Sequence, residues 1–173
     1  MLNKLDVKGI FKIQQYRNGK LLREFLAPNA VVNQGKNTLL NVMFHGVAAS
    51  HPWYIGLIDA NGYASLAATD TYQGINDGNG WSEFEDYGTG NREEFEEEAA
   101  ASQALSNSAT PAYINITASG TVKGAFLVGY GANADVVGDN DVDGILFCTA
   151  LFSVGDVEVA NEDQLKIVYT LTA

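Results

Sequence analysis

The chain has 173 residues, 46% hydrophobic and 18% charged, a balance that supports a buried core and excludes a largely disordered protein. Its formal charge of −11 argues against generic nucleic-acid binding, because phosphate contacts need a basic surface. The single cysteine, Cys148, excludes an internal disulfide, and no apolar run is long enough to span a bilayer as a helix.

Residues 7–26 read as a β-hairpin. Two stretches, "VKGIFKIQQYR" and "KLLREFLA", flank Asn18-Gly19, the dipeptide that best tolerates the positive φ angles of a type I′ turn. Counting outward from the turn sets Tyr16 opposite Leu21 and Phe11 opposite Leu26. In that register Lys12, Gln14 and Arg23 share a side with Ile10, Tyr16 and Phe25. A hairpin with two mixed faces is expected at a sheet edge or against another subunit.

The segment "NQGKNTLLNVMFHG" is the one good helix candidate, with Asn33 as its cap, Leu39, Leu40 and Met43 on one face, and Gly46 at its end. "WYIGLIDANGYASL" reads as a buried strand, an Asn61-Gly62 turn and a short return strand. Patterning fades from Thr69 to Ala109, where eight acidic residues gather around Arg92 between Glu83 and Glu98. Strands return after Pro111 in "AYINITASG", "TVKGAFLVGY", "GILFCTALF" and "QLKIVYTLTA", the last with Leu165, Ile167, Tyr169 and Leu171 on one face. These elements predict a mainly β chain. The expected fold is an antiparallel β-sandwich, jelly-roll or immunoglobulin-like, over 28–173, with one short helix and an N-terminal hairpin arm over 1–27 packed on or beside it.

The charge is unevenly spread. Residues 1–50 hold seven cations (Lys4, Lys8, Lys12, Arg17, Lys20, Arg23 and Lys36) against Asp6 and Glu24, whereas the remainder holds three basic and nineteen acidic residues. Such polarity suits docking on a partner of opposite sign or packing between copies, as well as an unevenly solvated surface. The N-terminus alternates polar and apolar residues without a signal-peptide core, so folding in a cytoplasm is expected.

Motifs of chemistry are few. "NQGKNT" resembles a phosphate loop only in passing, since Ala30 and Asn37 occupy positions where that loop needs a glycine and a Ser or Thr. His45 and His51 lack the spacing of a zinc pair, and Cys148 has no C-x-x-C partner. The stretch "REEFEEEAAAS" reads as a short exposed helix or solvated surface, with acid–base carboxylates as the alternative. In "DNDVDG", Asp139, Asp141 and Asp143 alternate before Gly144, as at the start of a calcium loop. The twelfth position is Ala150, not the carboxylate an EF-hand requires. That leaves an acidic turn or a non-EF calcium loop completed by Asp135 or a backbone carbonyl.

Several segments in fixed order, "NAVVNQGKNTLLNVMF", "PWYIGLID", "LAATDTY", "GWSEFEDY", "SNSATPAYINITASGTVKGAFLV" and "LFSVGDVEVANEDQLKIVYTLTA", together resemble small virion structural proteins of tailed bacteriophages, best the head decoration or cement type. The resemblance covers roughly residues 28–173. It implies a non-enzymatic β-rich oligomer, with a trimer favoured, on the capsid exterior and bound to the major capsid protein, with no cofactor, nucleic acid or membrane. The surface expected to dock comprises Lys4, Lys8, Lys12, Arg17, Lys20 and Arg23. Two rivals follow from the same residues. A tail-fibre or baseplate component would use an open Trp81, Tyr87 and Tyr72 region to stack on sugars, unless those rings are packing residues. A carbohydrate-active enzyme would use Glu83 and Glu85.

Overall fold

The computed structural model describes residues 6–49 and 51–173, so the expected docking residue Lys4 lies outside the described residues. Strands β1 (Lys8–Arg17) and β2 (Lys20–Val31) form the hairpin, and helix α1 (Asn33–Phe44) follows. Strand β3 (Trp53–Asp59) leads into a long irregular stretch that holds β4 (Glu93–Glu94) and β5 (Ala104–Ser106). The chain closes with β6 (Ala112–Asn115), β7 (Gly120–Gly129), β8 (Ile145–Leu151), β9 (Val157–Val159) and β10 (Gln164–Thr172). With 44% strand against 9% helix, the protein is mainly β, an antiparallel sheet curled into a half-barrel of the sandwich-like class. The strand order is β4-β3-β7-β8-β2-β1-β10-β5, with β6 also on β10 and β9 on β7.

The hairpin is not at an edge. Strand β1 lies between β2 and β10, and β2 passes from its pairing with β1 directly into pairing with β8 through Asn29, Ala30 and Val31. The boundary expected at residue 27 therefore falls inside a continuous strand. A β-bulge explains how a mixed-face hairpin becomes central. Tyr16 pairs with Leu21 as expected, but Gln15 pairs with Arg23, so Leu22 is the extra residue and Phe11 faces Ala27 rather than Leu26. One inserted residue exchanges the two faces of everything beyond it. Phe11, Ile13, Phe25 and Ala27 turn inward and are buried, while Lys12, Glu24 and Leu26 face solvent.

The main core fills the curl, with Leu57, Leu127, Cys148, Leu165, Ile167 and Tyr169 meeting the hairpin residues. A second cluster lies on the opposite face of β3, β7 and β8, where Tyr72, Ile75 and Trp81 cover Ile58, Phe126, Val128 and Leu146. The return strand expected after Asn61-Gly62 does not form. The chain there runs on without regular structure into that covering layer, which is why β3, β7 and β8 read as apolar on both faces. The acidic stretch is likewise not a helix: it contributes the two-residue β4 and buries Phe95.

Helix α1 starts at Asn33, the residue expected to cap it. Val32 occupies the cap position, and Asn33 donates its backbone N–H to Ala68 O at 2.8 Å. Gly35 allows the helix to touch β8, since a Cβ there would sit 2.4 Å from the Phe147 carbonyl oxygen. The neighbouring Gln34 side chain accepts from the backbone N–H groups of Tyr72 (2.9 Å) and Leu146 (2.8 Å). The motif that resembled a phosphate loop is thus a helix-to-sheet joint.

Candidate functional site

Eight acidic residues around one arginine leave that arginine a choice of partners, and burial decides it. Arg92 and Glu83 are both fully buried and form a forked pair, Nε to Oε1 at 2.9 Å and Nη2 to Oε2 at 2.6 Å. The other guanidinium hydrogens reach Tyr72 Oη (3.0 Å), Ala134 O (2.9 Å) and Asp139 O (2.9 Å). All five donors of the guanidinium are therefore used. Glu83 also accepts from Tyr87 Oη at 2.5 Å and from the Gly138 backbone N–H at 2.7 Å. Burial opposes the charge on Arg92, but the Glu83 carboxylate more than offsets it and holds the guanidinium above its ordinary pKa. Burial pushes the Tyr72 and Tyr87 phenols up as well. A carboxylate so sealed and paired is placed to hold the 131–144 loop down, not to meet a substrate. Glu85, its expected companion, is exposed and accepts from Asn76 Nδ2 at 3.1 Å.

This network also occupies the loop read as a calcium candidate. Asp139 accepts from Tyr72 Oη at 2.6 Å, Asp141 accepts from Asn133 Nδ2 at 3.4 Å, and Asp143 is exposed. Among the described residues, no three His, Cys, Asp or Glu side chains converge as a metal would need. The structure therefore does not bring Asp139, Asp141 and Asp143 together. Trp81, Tyr72 and Tyr87, expected to be open or packed, are all buried and offer no stacking face to a sugar.

The basic residues of the hairpin separate into two groups. Lys8 pairs with Asp6 at 2.8 Å, and Lys12 with Glu24 at 3.2 Å. Arg17 forks onto the buried Asp163, Nε to Oδ1 at 2.7 Å and Nη2 to Oδ2 at 2.8 Å. Gln15 and the Ala160 backbone N–H add further donors to Asp163. The Arg17 fork, opposed by burial, lowers the Asp163 carboxyl from its ordinary 3.8 to about 2. Arg17 is thus a structural cation rather than a free docking charge. Lys20 and Arg23 are exposed near the hairpin tip.

A surface not anticipated lies on α1. Leu39 turns inward beside an apolar groove of about 160 Å³ with Trp53, Leu105 and Leu171. On the other flank Leu40, Met43 and Phe44 are 58%, 69% and 82% exposed. They sit three and four residues apart, so they form one stripe. The signal was present in "TLLNVMF", but whether an amphipathic face points in or out depends on how the helix docks. No protein-family model matches this chain, and no curated protein matches it. No helix among the described residues is long and apolar enough to cross a membrane.

Proposed function

We propose that the chain is a non-enzymatic virion structural protein of a tailed bacteriophage, of the head-decoration type, which binds the major capsid protein and stabilises the shell. The observation that carries this reading is the uncovered apolar stripe of α1. Each such side chain gains roughly 1.5–3 kcal/mol when a partner covers it, and contiguous exposed apolar surface marks a contact site. The resemblance over residues 28–173 supports the capsid as that partner. A protein that binds only the assembled shell stabilises it by linkage, and modest contacts repeated over a lattice add through avidity. Lys20 and Arg23 supply a separate pair of exposed cations for an acidic partner surface, and assembly as a trimer on the capsid exterior belongs to the same reading.

Labelled protein on intact particles tests the proposal. Label spread over the head, at an abundance approaching that of the capsid protein, is the expected result. Label confined to the tail, or absent from particles, overturns it.

A further inference from the structure

The outer face of the sheet carries a cleft of about 520 Å³ where β1, β10 and β6 run side by side. Gln15, Leu165 and Ile114 are buried on the inner face, so alternation turns their neighbours outward. Tyr16, Gln164 and Asn115 form one row across the three strands, and Lys166 and Tyr113 stand in the next. The two tyrosines thus occupy opposite corners, roughly 12 Å apart from strand spacing and rise. Glu162 completes the rim.

The lining is chemically balanced. Gln164 Nε2 donates to Asn115 Oδ1 at 2.9 Å, which leaves the Asn115 amide hydrogens and the Gln164 carbonyl facing the cleft region unspent. The Lys166 ammonium lies over one face of the Tyr113 ring, 6.0 Å from its centroid, while the Tyr113 hydroxyl and the Glu162 carboxylate make no hydrogen bond or ion pair among the described residues. One negative and one positive group cancel, and the net charge of −11 repels phosphates. A peptide anchored by apolar side chains would find no apolar pocket in this lining. Amide, carboxylate, ammonium and phenol groups between two aromatic faces match instead a ligand with many hydroxyls and apolar C–H faces.

The cleft is also rigidly held. Directly behind it the Arg17–Asp163 fork ties the hairpin end to the turn before β10, fixing Tyr16 relative to Glu162 and Gln164. Glu162 itself has a φ of 69°, a left-handed conformation that favours glycine or asparagine. It ends the turn before β10, which leaves its carboxylate at the rim of the cleft without a hydrogen bond or ion pair among the described residues.

We propose that this cleft binds a neutral oligosaccharide, with Tyr16 and Tyr113 as stacking faces and Asn115, Glu162, Gln164 and Lys166 as hydrogen-bonding groups. The proposal rests on this sheet face alone and stands apart from the virion reading. The test presents the full chain to an array of neutral hexose and N-acetylhexosamine oligosaccharides, with sialylated glycans and single-stranded DNA alongside. Amide chemical shifts are then followed with the best neutral oligosaccharide. The expected result is selective binding of neutral glycans, with shifts centred on Tyr113, Asn115 and Gln164. Tyr113→Ala should weaken it roughly tenfold, and Glu162→Gln should also weaken it. Tyr113 is 43% exposed, so its variant should keep the wild-type melting temperature; Glu162→Gln serves the same purpose if it does not. No neutral glycan bound, binding only to the acidic probes, shifts centred elsewhere, or undiminished binding in both variants would each overturn the proposal.

Discussion

Arg92 and Glu83 meet in a two-bond fork, at 2.9 and 2.6 Å, where neither side chain reaches solvent. Removing one partner of such a pair strands the other charge in the interior. Glu83→Gln is expected to cost about 3–5 kcal/mol, read as a lower urea midpoint. Arg92→Lys loses the fork and the bonds to Ala134 and Asp139, so amide exchange should quicken across 131–144 before the rest of the chain is affected. A wild-type midpoint in Glu83→Gln would contradict this account.

Asp163 gives the stability a specific acid dependence. Its carboxyl is lowered on folding from 3.8 to about 2, so the folded state holds the proton more weakly than the unfolded chain. The stabilisation is fully present above about pH 4. It is lost as pH falls through the window from 3.8 towards 2. Wild-type melting temperature should therefore fall more steeply across that window than that of Asp163→Asn. The variant should already be less stable at neutral pH. Parallel curves for the two proteins would refute the assignment.

Gly35→Ala tests the contact between helix and sheet. A Cβ placed 2.4 Å from the Phe147 carbonyl oxygen meets backbone, which cannot rotate away. Despite the better helix propensity of alanine, we expect a net loss of about 1–3 kcal/mol from overpacking. Thermal unfolding decides the sign, and a more stable variant would show that α1 can shift off β8.

Cys148 should be inert in the native protein. Burial pushes its thiol up to about 11, and the sulfur is inaccessible. A disulfide reagent at pH 8 should react with no thiol in native protein and one after unfolding. Rapid labelling of native protein would count against the packed core described.

The α1 stripe can be altered without disturbing the core. Met43→Ser with Phe44→Ser changes two exposed side chains, so stability should move by less than about 1 kcal/mol. Under the proposed decoration role, co-sedimentation with phage heads lacking the protein should be abolished. Binding at wild-type strength would place the docking surface elsewhere.

Much of the fold is legible from local sequence. Asn18-Gly19 announces the hairpin, and the alternation around Leu165, Ile167 and Tyr169 marks an inner face. What alternation cannot show is a single extra residue. The bulge at Leu22 changes which side of β2 is apolar, and with it whether the hairpin is an edge or the middle of the sheet. The candidate sites were less legible still. The acidic run gives no sign that Glu83 would be sealed against Arg92, nor "DNDVDG" that Asp139 would be held by Tyr72.

By itself the sequence determined a single-cysteine, acidic, mainly β chain with a hairpin at its start and one helix, because periodicity and turn chemistry act over a few residues. Only the tertiary structure decided which charges are spent inside and which remain outside. It spent Arg17 on the buried Asp163 and sealed Arg92 against Glu83, left Lys20 and Arg23 exposed, and turned Leu40, Met43 and Phe44 to the surface. It also set Tyr16 and Tyr113 across one cleft from positions far apart in the chain. The reason is physical. A side chain's partner is set by strand register and helix docking, which depend on contacts between distant segments rather than on neighbours along the chain.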